Sequence, residues 1–175
     1  AKEAERSRIG KSPRDYFELA ANLIKPPAPA LLAVGGLSGT GKSVLARGLA
    51  PFVLPSPGAV VLRSDVMRKR LFGAKETDKL PQEAYTAEVT RKIYSALAGQ
   101  ARRVIAAGHS AIVDAVFAKD DERGEIAAVV STGTCFRGLF LTADLATRIA
   151  RVGARVNDAS DADETVVRKQ AQYDL

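Results

Sequence analysis

Apolar residues along the chain alternate between helical spacing and short unbroken runs. Tyr16, Phe17, Ala20, Leu23 and Ile24 share one face of a helix. Its start is marked by Ser12 as N-cap, Pro13 at the first helical position and Asp15 where a capping-box acid would stand. Pro26-Pro27-Ala28-Pro29 ends it and reads as a stiff linker. Ala30–Val34 is then a continuous apolar run closing on glycine, the pattern of a strand buried on both faces. Lys42–Ala50 reads as a short helix stopped by Pro51, and Ala59–Leu62 as a second strand ending at Arg63-Ser64-Asp65. Glu83–Ala106 is a long helix lined by Val89, Ile93, Leu97, Ala101 and Val104, with Gly108 beyond its end. Ala111–Val113 is a third strand ending at Asp114, Asp120–Ser131 a helix closing on Gly133, and Cys135–Leu141 a fourth strand. Asp144–Gly153 and Asp161–Tyr173 are helical, the second capped by Ser160 with Asp163 three residues on.

Strands alternating with helices predict an α/β fold with a parallel sheet and right-handed crossovers. Ligands of such sheets bind at the carboxyl ends of the strands. Three of the four expected strands end there in glycines or an acid: Gly35-Gly36, Asp65 and Asp114. The division expected is an N-terminal helix and Pro-rich linker over residues 1–29, then one domain over 30–175.

At 175 residues the chain has the length of one domain, and its 46% apolar and 26% charged content is that of a globular protein. No uncharged stretch free of Gly and Pro is long enough to span a bilayer, and the charged first residues lack a signal-peptide core. A single cysteine, Cys135, permits no internal disulfide, so a cytoplasmic location is expected and no membrane partner. The net charge of +6 is scattered, with denser groups at Arg63, Arg68, Lys69, Arg70 and at Arg148, Arg151, Arg155. No nucleic-acid-binding signature accompanies it, which favours small phosphorylated ligands over a nucleic-acid partner.

Gly36-Leu37-Ser38-Gly39-Thr40-Gly41-Lys42-Ser43 matches G-x-x-x-x-G-K-S, with an apolar strand before it and a helix after it. The three glycines let the backbone turn tightly and point successive N–H groups inward, so that Gly36, Ser38, Gly39, Thr40, Gly41, Lys42 and Ser43 are the residues expected to bind the nucleotide. The helix N-terminus adds partial positive charge. Lys42 can reach the β- and γ-phosphates and Ser43 can ligate Mg²⁺. The loop names a nucleotide, not a reaction. Asp114, after its apolar run, reads as the acid that holds Mg²⁺ opposite Ser43, or as a turn residue closing the strand.

Together with this loop, Leu62-Arg63-Ser64-Asp65, Ile112-Val113-Asp114-Ala115 and Asp158-Ala159-Ser160-Asp161-Ala162 resemble the P-loop small-molecule and nucleotide kinases. That group includes gluconate kinase, polynucleotide kinase, chloramphenicol phosphotransferase and the zeta toxins. The segments are most similar to the P-loop half of bacterial two-domain proteins, in which an aminoglycoside-phosphotransferase-like domain comes first. The resemblance implies a strand order 2-3-1-4-5, with a fifth strand beyond this sequence, and an upstream domain in a longer chain. It implies an enzyme that moves the γ-phosphate of Mg·ATP to a hydroxyl of a small molecule or nucleotide. Asp65 would then take the proton of the attacking hydroxyl, chemistry a carboxylate beside the acceptor can perform. It stands equally where an N-cap for Val66–Leu71 would.

Arg68, three residues on, is a candidate for an anionic group of the substrate. Arg123 is another, because family members carry a basic residue near that point. Arg148, Arg151 and Arg155 fall on one side of a helix before the polar break Val156–Ser160. Two helices with a basic turn between them look like the lid of this kinase class, with Arg151 and Arg155 best placed to meet the transferred phosphoryl group. The same run also reads as a solvated helix face. The alternative function is a regulatory module that binds ATP without transferring phosphate. His109 and Cys135 read as structural, the latter buried, and Tyr85 and Tyr94 as core.

Overall fold

In the computed structural model, residues 2–130, 133–156 and 158–173 are described, with side chains from residue 13 onward. Four strands form one parallel sheet: β1 (Ala30–Gly36), β2 (Val60–Arg63), β3 (Ala111–Asp114) and β4 (Cys135–Leu141), in the order β2-β3-β1-β4. Among the described residues seven α-helices accompany it: α1 (Lys2–Ile24), α2 (Lys42–Leu49), α3 (Ser64–Leu71), α4 (Ala87–Ala106), α5 (Asp120–Ala127), α6 (Leu145–Gly153) and α7 (Glu164–Gln170). The expected class and the relative order of these four strands both hold.

Alternate residues of the two central strands serve opposite faces, as the pleat requires. Leu31, Ala33, Ala111 and Val113 enter one core with Ile93, Leu97, Ala98 and Ala101 of α4 and Ile126 of α5. Val34 and Ile112 enter the other with Ala46 of α2. This two-faced burial is why the strand runs are continuously apolar. Register then sets the chemistry: Asp114 lies beside Val34 on one side and Arg63 on the other.

Several boundaries differ from the sequence expectation, each for a local reason. Helix α1 starts at Lys2, with Pro13 inside it rather than opening it. The residues ahead of Pro13 are mostly Ala, Glu, Lys and Arg, good helix formers that carry the helix through the lost hydrogen bond. Its apolar residues Tyr16, Phe17, Leu23 and Ile24 are exposed, not packed on the sheet. Pro51 lies within a 3-10 turn at Ala50–Phe52. The long helix begins at Ala87, because Pro81 opens a separate turn and the Thr86 hydroxyl accepts the Val89 N–H. Helix α5 ends at Ala127, and Ser131 lies outside the described residues. Helix α7 begins at Glu164, capped by Asp163 rather than Ser160. Cys135 is exposed, on a strand that has β1 on one side only. Tyr94 is core and Tyr85 is half-exposed. No helix among the described residues is long and apolar enough to cross a membrane.

Candidate functional site

The loop between β1 and α2 takes the conformation its glycines allow. Gly36, Gly39 and Gly41 all have φ in the left-handed region. At Gly39 the demand is double, since a Cβ would stand 2.6 Å from the Arg148 carbonyl oxygen. Gly41 is the N-cap of α2, and no side chain caps that helix. Its first N–H groups are therefore free to meet an anion. The Lys42 ammonium donates to the Leu37 carbonyl at 2.9 Å, folding back over the loop. Burial pushes Lys42 below the usual lysine range; Asp114 and Asp65 oppose this, and Arg155 and Arg148 add to it. Lys42 thus sits in a mixed field, two carboxylates favouring its charge and two arginines opposing it.

The Ser43 hydroxyl donates to Asp114 Oδ2 at 2.6 Å, joining the end of β3 to the start of α2. A hydroxyl and a buried carboxylate side by side are hard oxygen donors of the kind Mg²⁺ takes together with phosphates and water. The residues present therefore fit a magnesium ion. Arg63 Nε also donates to Asp114 Oδ2, at 3.3 Å, as the β2–β3 register allows.

Asp65 lies in the first turn of α3, with Arg63 rather than itself at the N-cap, so the capping alternative is set aside. Burial raises its carboxyl pKa, Asp114 raises it further, and Lys42, Arg63 and Ser160 pull it down without cancelling the rise. The two acids and Lys42 thus share one field at the strand ends. Arg68 is buried; one nitrogen donates to the Ala84 carbonyl at 2.5 Å, and its guanidinium carbon lies 4.9 Å from the centre of the Tyr85 ring. Its Nε is buried without a partner among the described residues. Burial holds Arg68 below the usual arginine range, and Asp65 works against that.

The three lid candidates part company. Arg148 is buried: Nε donates to the Ser38 carbonyl at 2.9 Å and Nη2 to Gln170 Oε1 at 3.2 Å. Gln170 in turn accepts the Ser38 N–H at 2.7 Å. Arg148 and Gln170 are therefore props of the phosphate loop. Arg151 is exposed, with one nitrogen 3.4 Å from the Gly39 and Thr40 carbonyls. Arg155 keeps one nitrogen buried and unpartnered among the described residues, close enough to act on Lys42. Arg123 holds the Phe117 and Ala118 carbonyls and Asp120, bracing the loop after β3. In that loop Phe117 takes a left-handed φ of 52°, stacks edge-on against Tyr94 and donates its backbone N–H to the Tyr94 hydroxyl oxygen at 3.0 Å.

The sequence model of the AAA domain family matches residues 31–173. The chain belongs to that family. An uncharacterized protein of Mycobacterium tuberculosis (strain ATCC 25618 / H37Rv) is 31% identical over 153 residues, 82% of this chain. The chain spans about 30% of the length of the curated relatives it matches. Among solved structures, the M. tuberculosis APS kinase CysC in complex with AMPPNP and APS matches with a TM-score of 0.59 and 23% identity, over 74% of this chain and 71% of that one. A gluconokinase from Sinorhizobium meliloti 1021 matches with a TM-score of 0.55 and 18% identity, over 84% of this chain and 75% of that one. At these identities the likeness is one of fold, and the fold is the kinase-like P-loop architecture that the motifs implied.

Four residues of this AAA domain were not singled out from sequence. In the sequence Gln170 reads as plain helix, Arg63 and Lys69 as members of a basic run, and Asp161 as the start of the last helix. Asp161 instead accepts the Lys69 ammonium at 2.6 Å, the Leu80 N–H at 3.0 Å and the Tyr85 hydroxyl. Its place in a segment shared with the kinase resemblance, Asp158–Ala162, was the signal available.

Proposed function

We propose that this chain is an ATP-dependent phosphotransferase acting on a hydroxyl of a small molecule or nucleotide. The observation that carries the reading is the convergence of Asp65, Asp114, Lys42 and Ser43 at the ends of β1, β2 and β3. The uncapped N-terminus of α2 and Lys42 bind the β- and γ-phosphates. Ser43 and Asp114 would hold Mg²⁺, which when bound would neutralise charge on the phosphates. Asp65 orients the acceptor hydroxyl and takes its proton, and its raised pKa places it nearer to the acidity such a base needs. Arg155, with its unpartnered nitrogen, and Arg151 meet the charge on the transferred group. Arg68, in the field of Asp65 and with its Nε unpartnered among the described residues, takes an anionic group of the substrate; Arg123 contributes only through the loop it braces. The setting proposed is cytoplasmic, with an upstream domain in a longer protein, in keeping with relatives of greater length.

Two measurements test the proposal. Lys42→Ala removes a charged donor from the phosphates and should weaken ATP binding by at least about tenfold in calorimetry, from the loss of roughly 1.5–3 kcal/mol. Undiminished affinity would sink the phosphate-loop assignment. Incubation of the protein with γ-labelled ATP, Mg²⁺ and a panel of sugars, nucleosides, aminoglycosides and 5′-hydroxyl oligonucleotides should give label on one acceptor class. ATP bound, with no label on any of them, would favour a regulatory module.

A further inference from the structure

Arg63 is held by two carboxylates from different parts of the chain. Its Nε lies 3.3 Å from Asp114 Oδ2, the oxygen that also accepts the Ser43 hydroxyl, and its Nη2 lies 3.2 Å from Asp158 Oδ1. Asp158 belongs to the connection between α6 and α7, three residues beyond Arg155, and accepts the N–H of Ser160 at 2.9 Å. Its negative charge lies near Arg155 as well as Arg63. Neither Arg63 nor Asp114 is more than 12% exposed, so water and salt screen little of their interaction.

Resting on the phosphate-loop reading above, we infer that Arg63 and Asp158 form a relay between the cation site and the connection of α6 to α7. Without a divalent cation, the Arg63 guanidinium stands in as counter-charge to Asp114. A cation seated on Ser43 and Asp114 repels it, and Asp158 is the second seat that keeps it paired. Cation entry then strengthens the pairing of Arg63 with Asp158, so that filling the metal site is coupled to the connection that carries Arg155. Asp158 is a positioning residue in this scheme, acting through Arg63 and touching neither metal nor nucleotide.

The relay is tested by the Mg²⁺ concentration that gives half-maximal ATP binding, read by titration with a fluorescent ATP analogue. In Asp158→Asn, Arg63 has only Asp114 left and competes harder with the cation. The midpoint should rise roughly fivefold or more, a modest coupling between sites, while affinity without metal moves less than about twofold. Arg63→Gln removes the competitor and should lower the midpoint. The double variant should stay below Asp158→Asn, which a merely structural role for Asp158 does not predict. Asp158→Glu keeps the second seat and should stay near the parent. Equal losses with and without Mg²⁺, or a double variant no better than Asp158→Asn, overturn the relay. Should Asp158→Asn not fold, an unchanged or raised midpoint in Arg63→Gln overturns it alone. A parent protein that binds no ATP at any Mg²⁺ concentration overturns the reading beneath it.

Discussion

Asp65 shows how the same carboxylate is tuned by where the backbone puts it. In the first turn of α3 it is partly withdrawn from water and faces Asp114, and both effects favour the protonated form. A base must be ionised to act, so transfer should fall as pH drops through the raised pKa of Asp65. The acid limb of kcat against pH should therefore lie above about 3.9, the value of an unperturbed aspartate. An acid limb at or below that value would mean that Asp65 does not limit the reaction. Asp158 and Asp161 are shifted the opposite way: burial raises each, but the N–H groups, the Arg63 guanidinium and the Lys69 ammonium that meet them outweigh it. Three aspartates of one domain are thus shifted in opposite directions, and only their neighbours decide which way.

The phosphate loop works as an element because others clamp it. Helix α6 supplies Arg148 and α7 supplies Gln170, and both bond to Ser38. Gly39→Ala would put a methyl group against the Arg148 backbone at a φ of +86°. It should cost about 2 kcal/mol or more of stability, with a matching loss of ATP affinity. Gly99→Ala, inside α4 with nothing within 4 Å of the added carbon, should instead stabilise by roughly 0.5–1 kcal/mol in denaturant titration. Equal effects at both positions would contradict the close approach of loop and α6. The strands, the loop and the acids Asp65 and Asp114 were legible in sequence because each is written locally: a run, a spacing, a residue at the end of a run. Arg148, Gln170 and Arg63 were not, because their partners lie 51 to 132 residues away and depend on register and helix packing. The start of α7 was misplaced for the same reason: Asp161 is occupied by Lys69, Leu80 and Tyr85, and Asp163 takes the cap.

Across the whole molecule, Asp161 ties the α6–α7 connection to α3 and to the segment before α4. Lys69, only 1% exposed, depends on it for counter-charge. Asp161→Asn should destabilise the fold by about 3 kcal/mol near neutral pH, the cost of leaving a buried charge unpaired. Because the Asp161 pKa is lower in the folded chain than in the unfolded one, its contribution is complete above about pH 4 and is lost as pH falls below that. Thermal melts of the parent should therefore drop on the acid side with a steeper slope than those of Asp161→Asn. Parallel slopes would mean that this carboxylate does not link the α6–α7 connection to α3.

The central claim is that the groups gathered at the strand ends transfer phosphate rather than only bind it, and Asp65→Asn separates the two. With γ-labelled ATP, Mg²⁺ and whichever acceptor the parent protein labels, the variant should keep ATP affinity within a factor of about three and lose transfer by at least roughly a hundredfold, the low end for a general base. Transfer that continues at the parent rate in Asp65→Asn, with ATP still bound, would contradict the account.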